Sequence, residues 1–203
     1  MKYKLIAIDM DGTLLNSKNQ ISKGNLSTLH KAVEQGIHVI LSTGRILPSA
    51  IYYAKSINLD SPIIACNGAI VIFKGEEDII LDRKIDMKIS KKVIQLAEEN
   101  NIYYNFYDRD TFYTRGLHGG IKQYYSSFEK TLESQGINLE IFEDVEKTLD
   151  IKKPDIYKFI FVEDDRDKLL DFRQQLNHVE GINISSSWHN NVEVMKEGVS
   201  KGS

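Results

Sequence analysis

Two carboxylates stand one residue apart in Asp9-Met10-Asp11-Gly12-Thr13-Leu14, directly after the apolar run Leu5, Ile6, Ala7, Ile8. Side chains at i and i+2 of an extended chain point the same way, and a following glycine lets the backbone turn and offer N–H groups to an anion. Such a pair can hold a hard cation and a phosphate together. Ligands of open α/β sheets bind outside the carboxyl ends of the strands, which is where this pair falls. An EF-hand loop is excluded, because it needs a third acidic ligand before its glycine and a glutamate at its end, and Ile21 and Ser22 occupy that region. The rival explanation is a pair of capping aspartates in a turn. The strand before the pair and Gly12-Thr13-Leu14-Leu15 after it favour the chemical explanation.

Other residues are ambiguous when taken singly. Thr43 and Gly44 follow the run Ile37 to Leu41 and could bind an anion or simply turn a strand into a helix. Lys201 could place a point charge on a phosphate or be a solvated lysine. Cys66 reads as a buried strand-end residue rather than a nucleophile, since none of the five histidines pairs with it identifiably and none has metal-site spacing.

The elements that must position these residues alternate. Lys4 to Asp9 is dense enough in apolar residues for a strand buried on both faces. Ser22 caps a helix through Gln35, with Leu26, Leu29 and Val33 at spacings of three and four and Gly36 for its C-terminal turn. Ile37 to Leu41 is a second strand, Pro48 to Ile57 a helix, and Ile63 to Cys66 a third strand. This alternation predicts right-handed βαβ units in a doubly wound parallel sheet.

From Arg83 the pattern changes. A helix is expected after Ser90, then a hairpin from Ile102 to Thr114 broken at Asp108, Arg109 and Asp110. A helix from Gly120 to Ser134, a strand at Ile156 to Glu163, a helix from Asp165 to Asn177, and strands at Ile182 to Ser186 and Asn191 to Met195 complete an α+β insert. Tyr103, Tyr104, Phe106, Tyr107, Phe112 and Tyr113 read as sheet packing, with substrate stacking the alternative. Arg115 and His118 read as surface residues that could instead reach a substrate.

Composition closes several classes. In 203 residues, 26 Lys plus Arg stand against 29 Asp plus Glu, a net charge of −3, so neither nucleic acid nor an anionic membrane is favoured as a partner. With 41% hydrophobic and 27% charged residues the chain reads as a folded globular protein. No run reaches the ~18 apolar residues of a membrane span. One cysteine allows no internal disulfide, and MKYKLIAIDMDG turns acidic too early for a signal peptide, so the cytoplasm is expected.

Taken together the motifs resemble those of the haloacid dehalogenase-like phosphatases. Asp9-Met10-Asp11-Gly12-Thr13-Leu14-Leu15 is similar to their first motif, and Ser42-Thr43-Gly44-Arg45 resembles the second motif of the Cof-type subgroup. Cys66-Asn67-Gly68-Ala69 resembles its Asn-Gly-Ala turn, and the segment from Glu193 to Gly202 resembles the stretch bearing a phosphate-facing lysine. The resemblance implies a Rossmann-like doubly wound core with an inserted α+β cap of the C2B type. The expected divisions are 1–82 for the first part of the core, 83–188 for the cap and 189–203 for the second part of the core.

The resemblance also implies roles. Asp9 would be the nucleophile and Asp11 the general acid and base; Mg²⁺ would be held by an Asp9 oxygen and the Asp11 main-chain carbonyl. Thr43, Lys201 and the N–H groups of Met10, Gly12 and Gly44 would hold the phosphoryl group, and Arg45, Asn67 and Gly68 would line the substrate site. The substrate would be a small phosphorylated metabolite, a sugar phosphate or a phosphorylated cofactor, chosen by the cap. The alternatives are a phosphosugar mutase and a non-catalytic module that binds a phosphorylated ligand. A further family motif, Gly-Asp followed by Asp or Asn, supplies the last metal carboxylate. No Gly-Asp pair occurs in this sequence, so the chain reads as truncated before that motif, with a core incomplete at its C-terminus and one side of its first strand exposed. The oligomeric state is open.

Overall fold

The computed structural model describes residues 3–73, 78–116 and 125–203. They form two units, residues 1–82 with 200–203 and residues 83–199. Among the described residues no helix is long and apolar enough to cross a membrane.

The first unit contains a sheet in the order β1 (Leu5–Ile8), β2 (His38–Ser42), β3 (Ile63–Ala65), β4 (Ile70–Ile72), β5 (Ile79–Asp82). The pairs β1·β2 and β2·β3 are parallel; β3·β4 and β4·β5 are antiparallel. Helix α1 (Lys23–Glu34) begins where the Ser22 hydroxyl accepts from the Asn25 N–H at 3.1 Å, and α2 (Leu47–Ser56) carries Pro48 in its first turn, where its missing N–H costs nothing. The parallel βαβαβ portion is the α/β core that the sequence alternation predicts.

The apolar density of the first strand suggests burial on both faces, whereas the expectation of one exposed side is the one that holds: among the described residues β1 is an edge strand paired with β2, and Leu5 and Ile6 remain 53% and 37% exposed. The parallel sheet also continues into an antiparallel extension, because Gly68 and Ala69 reverse the chain and Ile70 pairs back with Ala65.

The second unit has a sheet in the order β10 (Ile182–Ser185), β11 (Asn191–Lys196), β9 (Lys158–Val162), β6 (Tyr103–Tyr107), β7 (Thr111–Thr114), β8 (Asn138–Ile141). All of these pairs are antiparallel except β7·β8. The helices are α3 (Met87–Glu99), α4 (Tyr125–Ser134), α5 (Val145–Lys152) and α6 (Arg166–Leu176). One face of this sheet, with Tyr104, Phe106, Phe159, Phe161, Val192 and Val194, shares a buried core with Val93 and Ala97 of α3, Leu149 of α5 and Phe172 of α6. The period-two alternation of the strands and the period-3.6 stripes of the helices meet in that core.

The boundary expected at residue 188 moves to 199. Strand β11 lies between β9 and β10, so Asn191–Lys196 belongs to the second unit, and only Ser200–Ser203 returns to the first. Helix α3 starts before Ser90, since Asp86 caps it by accepting from the Lys88 N–H at 2.9 Å. Of the expected helix 120–134, residues 120–124 and His118 lie outside the described residues.

Ser90 thereby becomes an interior residue of α3, fully buried, with a hydroxyl that meets no hydrogen-bond partner among the described residues. Removing an unpartnered hydroxyl strands no other group, so Ser90→Ala is expected to leave stability unchanged or raise it by up to about 1 kcal/mol. Denaturant titration of the two proteins checks this; a loss of more than that amount would mean that the hydroxyl has a partner.

Candidate active site

The end of β1 presents the paired acids. Asp9 is extended (φ −75°, ψ 153°), and the loop after it closes through the Leu14 N–H to the Asp9 carbonyl (3.2 Å) and the Leu15 N–H to the Met10 carbonyl (2.9 Å). Met10 and Leu14 are buried and anchor this loop, while Gly12 takes φ +73° at its bend. Both carboxylates are thus left at the surface of the first unit, Asp9 about one-third and Asp11 more than half exposed.

Each acid has a cation. The Lys201 Nζ lies 2.5 Å from Asp9 Oδ1. Arg45 grips Asp11 with two parallel bonds, Nη2 to Oδ1 at 2.6 Å and Nε to Oδ2 at 2.9 Å. This pairing holds the Arg45 guanidinium more firmly in its charged form, against partial burial that works the other way.

Thr43 stands at the end of β2 and is fully buried. Its N–H donates to the Ile64 carbonyl, its carbonyl accepts from the Asn67 N–H, both at 2.9 Å, and its Oγ1 accepts from the Arg45 N–H at 3.1 Å. The Arg45 carbonyl accepts from the Cys66 N–H at 2.9 Å. The β2 end and the Cys66–Gly68 turn are therefore tied together through main-chain bonds.

In that turn Cys66, Asn67 and Gly68 all have positive φ (49°, 57° and 96°). A Cβ on Gly68 would fall 2.2 Å from the Ser200 carbonyl oxygen. Gly68 therefore permits the backbone approach that seats Ser200, and with it Lys201, in the first unit. Asn67 is itself buried, so the turn expected to line a substrate site packs against the segment carrying the lysine.

The structure thus pairs Asp9 with Lys201 and Asp11 with Arg45, and joins Thr43, Arg45 and Asn67 through main-chain contacts. Three supporting residues escaped the sequence reading. Ser49 and Tyr53 contact Arg45, and Ser200 lies against Gly68. The spacing of four between Ser49 and Tyr53, one face of α2 just after Arg45, is the signal that could have found the first two.

In the second unit a hollow of about 400 Å³ is lined by Tyr103, Arg115, Gly116, Glu163, Asp164 and Lys168, among others. It contains none of the motif residues. Its cations are engaged, Arg115 by Glu98 and Lys168 by Glu163, each at 2.5 Å. The aromatics of β6 and β7 do pack as expected: Phe106 stacks on Tyr113 with centroids 4.7 Å apart, and Tyr107 meets Phe112 at 5.4 Å. Lys158 and Glu193 form a buried ion pair at 3.0 Å across β9 and β11, which the sequence did not reveal.

Residues 6–203 match the family described as haloacid dehalogenase-like hydrolases. The chain belongs to that family. As a haloacid dehalogenase-like hydrolase it is 26% identical to the pyridoxal phosphate phosphatase YbhA of Escherichia coli over 100% of this chain and 74% of that protein. It is 29% identical to the 5-amino-6-(5-phospho-D-ribitylamino)uracil phosphatase YwtE of Bacillus subtilis, over 98% and 73% of the respective lengths. The solved structure of a haloacid dehalogenase-like hydrolase from B. subtilis superposes with a TM-score of 0.82 at 27% identity, covering 98% of this chain and 75% of that one. The α/β architecture of this family member and the named phosphatases among its relatives support an enzyme that hydrolyses phosphoric monoesters.

Proposed function

We propose that the chain is a Mg²⁺-dependent phosphatase that hydrolyses small phosphomonoesters through an aspartyl-phosphate on Asp9. The observation that carries the proposal is the carboxylate of Asp9 at the end of β1 with the Lys201 ammonium 2.5 Å away. A carboxylate and a phosphate repel one another, so the reaction needs fixed positive charge at the point where they meet. Lys201 supplies one such charge in this chain.

The donor chemistry of the site suits a small, hard cation. Asp9 offers carboxylate oxygen and Asp11 carboxylate and main-chain oxygen, and Mg²⁺ is commonly bound through one or two carboxylates, with waters and substrate phosphate completing its shell. Among the described residues no three His, Cys, Asp or Glu side chains cluster into a metal site. An Asp9 oxygen and the Asp11 carbonyl would hold the ion, which neutralises charge on the phosphoryl oxygens when bound.

In the first step an Asp9 oxygen forms a bond to phosphorus as the bond to the leaving oxygen breaks, and Asp11 gives its proton to the leaving alcohol. In the second step water attacks phosphorus, Asp11 takes the water's proton, the Asp9–phosphorus bond breaks, and inorganic phosphate leaves. The Thr43 hydroxyl, which accepts from the Arg45 N–H, keeps its own proton to donate to a phosphoryl oxygen. The N–H groups of Met10, Gly12 and Gly44 are the other candidate donors, and Lys201 adds its charge. The second unit would act as the C2B-type cap and choose among substrates. Asn67 and Gly68 serve by packing the turn that seats Ser200 and Lys201.

The relatives' names point to substrates the size of pyridoxal phosphate or a phosphorylated ribityl-uracil. Phosphate release from such esters, sugar phosphates and p-nitrophenyl phosphate tests the proposal. Turnover is expected with Mg²⁺ and should fall at least about a hundredfold after chelation. Undiminished turnover in chelator would contradict the metal dependence. A requirement for a hexose bisphosphate would mark a phosphomutase, and phosphate binding without release a binding module.

A further inference from the structure

We infer that Arg45 is a positioning residue for Asp11, holding the acid/base carboxylate in a fixed orientation. The inference rests on the phosphatase reading for the role of Asp11, but the contact itself stands on geometry alone. Asp11 sits beside the Gly12 bend with its side chain 56% exposed, where a lone carboxylate would sample several rotamers. The Arg45 fork engages both oxygens and so holds the ionised carboxylate, the form that takes the water's proton, and a base that spends most of its time in the wrong rotamer loses rate in proportion.

Each of the three Arg45 nitrogens makes a contact inside the first unit. Nη2 and Nε donate to the two Asp11 oxygens at 2.6 and 2.9 Å, and Nη1 donates to Ser49 Oγ at 3.3 Å. The guanidinium carbon lies 5.1 Å from the centre of the Tyr53 ring, and the Tyr53 hydroxyl donates to the Asn19 carbonyl at 3.0 Å. The Arg45 backbone is held at both ends, N–H to Thr43 Oγ1 and carbonyl from the Cys66 N–H. A side chain anchored on a ring, a buried serine and its own main chain is a rigid fork, and a fork fixes the plane of a carboxylate as a lysine's point charge cannot.

The test combines kinetics with a structural readout. Arg45→Lys is expected to lower kcat about ten- to a hundredfold while KM stays within about twofold. In an Asp11→Asn background, Arg45→Lys should cost nothing further, because the group it positions is gone. A raised KM at unchanged kcat, or the full loss repeated in the Asp11→Asn background, would overturn the inference. The second readout is the Arg45 Nε–H signal in ¹⁵N NMR, assigned by its loss in Arg45→Lys. Slow exchange with water in the wild type, made fast by Asp11→Ala, is expected; equal exchange rates in the two proteins would overturn the clamp. If the wild type released no phosphate from any ester, the phosphatase reading would fail, and the NMR result alone would decide whether Arg45 holds Asp11.

Discussion

Asp9→Asn is expected to lower phosphate release by at least about a thousandfold, while the protein stays folded. The two halves of this result have different causes. An amide oxygen is a poor nucleophile towards phosphorus, so the substitution removes the group that would take the phosphoryl; a thousandfold corresponds to about 4 kcal/mol of barrier. The structural cost is small by comparison. The Asp9–Lys201 pair is partly exposed, with side chains 36% and 40% accessible, and pairs of that kind contribute about 1 kcal/mol or less. Assays of the purified variant, with circular dichroism to confirm folding, check both halves; activity within tenfold of the wild type would remove Asp9 from the chemistry.

Gly68→Ala is the second large effect, and it acts on a residue that bears no functional group. At φ +96° an alanine is strained by about 1–2 kcal/mol. Its Cβ would also be 2.2 Å from the Ser200 oxygen and 2.9 Å from the Ser200 carbon. Both neighbours are backbone, so no side chain can swing aside, and the segment Ser200–Ser203 must move. Lys201 moves with it. Gly68→Ala should therefore mimic Lys201→Ala, lowering kcat/KM at least about tenfold, as loss of a close cation at a phosphoryl site does. Steady-state kinetics of the two variants would check the equivalence. A Gly68→Ala protein with wild-type kcat/KM would show that the lysine does not depend on the turn.

The parts of this molecule legible in its sequence are those governed by local periodicity and punctuation. Ser22, Pro48 and Asp165 each mark a helix start through their own hydrogen bonds or ring geometry, and β1, β2 and β3 announce themselves as apolar runs. The pair of acids after β1 was legible because strand and glycine flank it. Long-range pairing was not. The pattern of Asn191 to Met195 places that strand in the insert while the resemblance divides the chain at 188, and the partners that decide between the two, β9 and β10, are named by no local pattern. The exposure of Leu5 and Ile6 has a similar cause: composition reports that a strand can be covered, while the sheet order decides whether it is. β4 was too short for its alternation to register.

At the site the same distinction holds. Residue types predicted which side chains could do chemistry, but the partners are tertiary facts. Arg45, read as a substrate contact, also grips Asp11, 34 residues away, and Gly68 lies against the Ser200 backbone. Lys201, which by position alone could be a solvated lysine, meets Asp9, 192 residues away.

The central claim is that Asp9 takes the phosphoryl group, and the direct measurement is an acid quench during turnover followed by mass analysis of the protein and its peptides. The expected result is a hydroxylamine-sensitive phosphoryl group on the peptide containing Asp9, absent from Asp9→Asn. Phosphate release with no phosphoryl on that peptide, or with one on another residue, would contradict it.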